Sequence, residues 1–140
     1  MRALVCLLSI WALPLFAQNA ADTELAKSLA QCSAQVSKFG EFGVQQKQLN
    51  AEAAHRLDAT AAVYWQASAA LSSDEEAQQS VGEASYREIV TMRLSTRSGE
   101  TPVYLNFLTG RVQNCKELFE KNEPYLSPRI NAKVNAKILP

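Results

Sequence analysis

Chemistry in this chain would have to run through very few residues: one histidine, His55, and three cysteines, Cys6, Cys32 and Cys115. A covalently tethered haem needs a Cys-x-x-Cys-His run, and the sequence contains none. A non-covalent haem would have to use His55 and Met92, the one methionine after the initiator, as axial ligands. At about 100° per helical residue, His55 points roughly 160° away from Leu57, onto the face of Glu52 and Gln66, whereas Met92 shares a stripe with Val81. One ligand would be outside and the other inside, so no haem is expected. Glu52 and His55 form a single Glu-x-x-His half-motif, and a di-metal carboxylate centre takes such motifs from two helices. No metal or other cofactor is therefore expected.

Nucleophilic catalysis fares no better. His55 is the only histidine available as a base, and no serine sits in a Gly-x-Ser-x-Gly turn. The run Asp74-Glu75-Glu76 reads as the acidic first turn of a helix, favourable to the helix dipole, before it reads as paired catalytic carboxylates. Gly40-Glu41-Phe42-Gly43 lacks the Lys and Ser/Thr that complete a phosphate-binding loop. The expected protein is not an enzyme.

The N-terminus suggests where such a protein works. Met1-Arg2 is a short positive start, Ala3 to Leu15 is nearly unbroken apolar sequence, and Leu15-Phe16-Ala17 offers a small residue for cleavage. This is the pattern of a secretory signal peptide. The apolar run of about 13 residues is shorter than the roughly 20 needed to span a bilayer. Residues 1–17 are thus expected to be a leader, 18–126 a single helical domain, and 127–140 a short basic amphipathic segment. The whole chain has 14 Lys and Arg against 14 Asp and Glu. A near-neutral balance lacks the basic excess that nucleic-acid binding requires.

With Cys6 in the leader, Cys32 and Cys115 remain, and two cysteines in an oxidising compartment most simply form one bridge. They are too far apart for a Cys-x-x-Cys redox motif, and they have too few ligands nearby for zinc.

Apolar residues recur at three and four rather than at two, so the fold class is all-α. The first helix is expected over Thr23 to Phe39, with Leu25, Leu29, Cys32, Val36 and Phe39 as a seam spaced four, three, four, three. Gly40 would cap it, and 40–43 would form a loop. The second helix is expected from Val44 to Leu71. The third follows a Ser73/Glu76 capping box and extends to about Arg97. The fourth starts at Thr101-Pro102, carries Tyr104, Leu108, Val112, Cys115 and Phe119 inward, and stops at Asn122-Glu123-Pro124. A short C-terminal helix or frayed tail follows, with Ile130, Val134 and Ile138 on one line and Arg129, Lys133 and Lys137 on another.

Short connections make this an up-down four-helix bundle. Cys32 on the seam of helix one and Cys115 on that of helix four would then face each other, so a disulfide is expected to join helices 1 and 4.

Two aromatics fall outside this core pattern. Trp65 lies about 80° from Leu57, towards the edge of helix two, and Phe42 lies between two glycines of the expected loop. Exposed aromatic anchors are what binding surfaces use, so Phe42 and Trp65 are the candidate partner-binding residues. The function expected is that of an exported, non-catalytic interaction protein, of inhibitor, immunity or adaptor type, whose partner is another envelope or secreted protein. The alternative is a periplasmic carrier with a small apolar ligand between its helices. A further reading is membrane-surface contact through Arg129, Lys133 and Lys137.

Overall fold

The structure is a computed structural model that describes residues 13–95 and 101–138. It consists of four helices: α1 (Leu13–Gln45), α2 (Ala51–Leu71), α3 (Glu75–Ser95) and α4 (Thr101–Ile138), with no strand among the described residues. Most of the expected leader lies outside those residues, and residues 13–17 open α1. A disulfide joins Cys32 of α1 to Cys115 of α4, with Cα atoms 5.4 Å apart.

The apolar seam of α1 is the axis of the molecule. Leu29, Cys32 and Val36 are buried, and α1 packs against each of the other three helices. Three apolar clusters follow one another along it. Leu29, Ala67 and Leu126 form one; Cys32, Val36, Ala61, Tyr64 and Cys115 form the middle one; Phe42, Ile89, Tyr104 and Leu108 close the other end. Buried hydrogen bonds cross between helices: Ser68 Oγ donates to the Ala26 carbonyl at 2.6 Å, Gln35 Nε2 donates to Ser85 Oγ at 3.3 Å, and the Tyr104 hydroxyl donates to the Ile89 carbonyl at 3.4 Å. Buried polar groups are tolerated when paired in this way.

Residues 40–43 are not the expected loop, because α1 continues through them to Gln45. The two glycines lie inside the helix, and Gly43 serves close packing. A Cβ on Gly40 would make only ordinary contact, 3.5 Å from Leu57 Cβ, whereas one on Gly43 would lie 2.3 Å from Leu49 Cδ1. Gly43 thus lets the approach to α2 pass close to α1, and neither glycine has a positive φ. As a result Phe42 is carried inward, packs edge-on against Tyr104 at 4.8 Å between ring centroids, and is only 4% exposed.

The turn comes later, at Lys47 with φ 56°. There the amides of Gln48 and Leu49 both donate to the Gly43 carbonyl. The second helix begins at Ala51, not Val44, because Asn50 is its N-cap and its side chain accepts from the Ala53 amide at 2.8 Å. The cap of α3 is likewise one residue later than expected. Asp74 Oδ1 accepts from the Ala77 amide at 3.0 Å, which displaces Ser73 from that role.

The fourth helix does not end at Pro124. It runs unbroken through Pro124 and Pro128, so the C-terminal segment expected as a separate unit is continuous with the bundle. Each proline removes an N–H donor and disfavours a helix interior by about 3 kcal/mol. Docking offsets this. Leu126, between the two prolines, is fully buried beside Leu29 and Ala67. The Tyr125 hydroxyl donates to Asp22 Oδ1 at 2.6 Å, and Lys133 Nζ donates to the Ala69 carbonyl.

One glycine has no packing role. Nothing lies within 4 Å of where a Cβ on Gly110 would sit, in the exposed middle of α4. Gly110→Ala is expected to stabilise the fold by about 1 kcal/mol through helix propensity alone, read as a raised midpoint in urea unfolding with unchanged slope.

Candidate functional site

The helices do not surround α1 evenly. The second and third helices both pack against it but barely touch each other. One face of α1 is therefore left as the floor of a groove. Ala30, Ser33, Ala34 and Ser37 form that floor because they recur at three and four along the helix. Their side chains are short, and the groove above them is open to solvent. Trp65 of α2 and Tyr86 of α3 stand on its walls, with Gly82 and Glu83 beside Tyr86. This part has a volume of about 340 Å³. Further along the same face, Glu41 and Val44 border a second cleft of about 450 Å³ whose α2 wall carries Asp58.

Trp65 is thus placed at a surface cleft, half-buried. Phe42 is not, and its expected exposure is corrected by the continuation of α1. Tyr86, 44% exposed, takes the place opposite Trp65 as the second aromatic. The signal for it was present: Tyr86, Val90 and Leu94 repeat at i+4 on α3, outside the stripe of Ser85 and Ile89. Leu94 is 81% exposed.

The charges around the groove are unequal in exposure. Lys38 Nζ donates to Glu41 Oε2 and lies 3.9 Å from the Tyr86 ring centroid. Its side chain is 13% exposed, against 50% for Glu41. Burial acts to lower the Lys38 pKa, but the bonds to Glu41 and Tyr86 outweigh it and the ammonium is held above its usual value. Arg93 is folded over Phe42 and Tyr104, 5.2 and 5.7 Å from their ring centroids. The buried hydroxyls of Tyr64 and Tyr104 are pushed above the ordinary phenol value, in both cases chiefly by desolvation. Both therefore stay neutral at physiological pH.

His55 is exposed on α2, while Met92 is half-buried against the Phe42 cluster. They do not share a site. Among the described residues no group of three or more His, Cys, Asp or Glu side chains could hold a metal ion. The disulfide is nearly buried, and it lies beside a cleft of about 290 Å³ where Gln35 and Arg111 also line the wall. Arg111 is ion-paired with Glu88 of α3 at 2.9 Å.

Two basic residues of the C-terminal segment are held by contacts within the protein. The Arg129 guanidinium stacks 3.6 Å from the Tyr125 ring centroid, and Lys133 binds a backbone carbonyl of α2. Lys137 has no described side chain. Among the described residues, no helix is long and apolar enough to cross a membrane.

No protein-family model matches the chain, and no curated protein or solved structure matches it either.

Proposed function

We propose that the protein is an exported, non-catalytic interaction protein on an up-down helical scaffold stapled between its first and last helices, and that its partner is another envelope or secreted protein. The observation that carries this reading is the open groove on α1, with Trp65 and Tyr86 facing each other across a floor of Ala and Ser. Aromatic side chains on a surface cleft provide large contact area for little lost rotamer freedom, which is how binding hot spots are built. The apolar leader and the cystine are the features that support export.

The carrier alternative needs a chamber between the helices. Five clefts lined by described residues range from about 100 to 450 Å³, and each of these opens to solvent.

Native mass spectrometry of the protein taken gently from its own cell envelope tests the proposal. The expected spectrum carries the mass of a second polypeptide. Trp65→Ala should weaken that complex by about 30-fold, the order of 2 kcal/mol for a hot-spot aromatic. A small-molecule mass would favour the carrier, and a bare chain would overturn the interaction reading.

A further inference from the structure

We infer that the groove on α1 receives a basic amphipathic helix of the partner, small or apolar along its contact line and bearing Lys or Arg on both flanks. This inference rests on the interaction reading above and names the chemistry of the partner.

Shape is the first argument. From Ala30 to Gln45 the open face of α1 extends about 22 Å at 1.5 Å per residue, the length of a helix of about 15 residues. The clefts at Trp65 and at Val44 lie in succession along that face, and a third cleft, at Val90, lies beside the second on the α3 side, sharing Glu41 and Gln45 with it. Between Ala30 and Ser37 the floor is built of residues too short to hold a neighbour away, so a second helix can approach α1 closely there. Laying the apolar stripe of a helix in such a groove is a recurrent mode of protein recognition.

Charge is the second argument, and it sets the partner's sign. Three carboxylates border the groove: Glu41, Asp58 and Glu83. Asp58 is exposed and forms no ion pair with any described residue. Among the described residues, Glu83 accepts only from the neutral amide of Gln79, at 3.2 Å. The two cations that line these clefts are turned away from an incoming chain, Lys38 beneath Glu41 and Tyr86, and Arg93 over Phe42 and Tyr104, while Arg87, exposed one turn beyond Glu83, lies outside their lining. The lining therefore presents negative charge on both walls and keeps its own positive charge covered. Lys or Arg flanking the stripe of an inserted helix would meet Asp58 on one side and Glu83 on the other. An acidic helix of equal shape would meet uncompensated repulsion.

The test uses the full disulfide-bonded protein and two synthetic helical peptides of about 18 residues. Both carry the same Ala/Leu stripe, one with Lys flanks and the other with Glu flanks. Titration calorimetry at low salt is expected to show the Lys peptide binding at least tenfold more tightly, with the preference shrinking as salt screens the exposed charges. Asp58→Lys with Glu83→Lys, both at exposed positions that leave the core untouched, is expected to reverse the order. Ala34→Leu, which fills the floor, is expected to weaken the Lys peptide at least tenfold without altering far-UV circular dichroism. Equal binding of the two peptides, or a preference indifferent to charge reversal, would overturn the inference. A partner captured from the envelope that binds the charge-reversed protein normally would also overturn it, and would leave the interaction reading standing.

Discussion

Replacing Cys32 and Cys115 together by alanine is expected to lower the unfolding free energy by about 4–5 kcal/mol from the loss of the loop constraint. The two positions are 83 residues apart, so the bridge closes most of the described chain into one loop. Domains of this size have a net stability of roughly 5–15 kcal/mol, so the variant would retain between almost none and about three-quarters of it. The site makes the change larger rather than smaller. Both cysteines lie in the middle apolar cluster with Val36, Ala61 and Tyr64, and truncating them there also leaves space that the helices cannot fully close.

Chemical reduction and double substitution should not give the same number. Gln35 Oε1 lies 3.3 Å from Cys115 Sγ, and a disulfide sulfur has no proton to donate to it. Once reduced, the Cys115 thiol gains that proton and has a buried acceptor already in place. Hydrogen bonds of this kind contribute about 0.5–1.5 kcal/mol. The reduced wild-type protein is thus expected to be more stable than Cys32→Ala/Cys115→Ala. Urea unfolding followed by circular dichroism, run on the oxidised, reduced and doubly substituted proteins, separates the two contributions. A double variant within 1 kcal/mol of the oxidised protein would mean that the bridge constrains little of the unfolded chain.

The legibility of these features in the sequence follows from how local their causes are. The seam Leu29-Cys32-Val36 is set by helical period, and it placed one cysteine on the core face of α1 without any tertiary information. The pattern Tyr104-Leu108-Cys115 did the same for α4. Gly40 and Gly43 were not legible, because a glycine after an apolar run is equally the end of a helix and the place where another helix passes close. At Gly43, which of these it is depends on Leu49, which lies across the hairpin. That ambiguity moved Phe42 from the expected surface into the core. Trp65 was readable as an edge residue from its angle alone. The groove beside it was not, since it exists only because α2 and α3 fail to meet over α1. The floor left a trace in the small residues at positions 30, 33, 34 and 37, a spacing that means close helix approach without saying which helix approaches.

Leu126→Ala is expected to cost about 2–5 kcal/mol, the range for a fully buried leucine, although sequence alone puts residue 126 at the last position before a loose tail. The local rule against proline inside a helix makes Pro124 a stop, and it is overridden by what the continuation buries. Leu126 is 0% exposed, and Leu25, Leu71, Tyr125 and Ile130 close around its cluster. The tail beyond it has little cohesion of its own, because a helix of about a dozen residues is marginal in water. Removing Leu126 should therefore loosen the whole segment, and amide exchange over residues 129–136 should speed up towards that of a free peptide. Val134→Ala provides the control. Val134 is 40% exposed on the same segment, and a surface change of that kind is expected to stay within about 0.5 kcal/mol. If Leu126→Ala cost no more than Val134→Ala, the segment would be an independent arm and the first cluster of the core would end at Phe119. A large difference between the two variants, with the exchange change confined to the tail and the Leu29 contacts, would establish that the last three turns of α4 are part of the core that holds α1 in place.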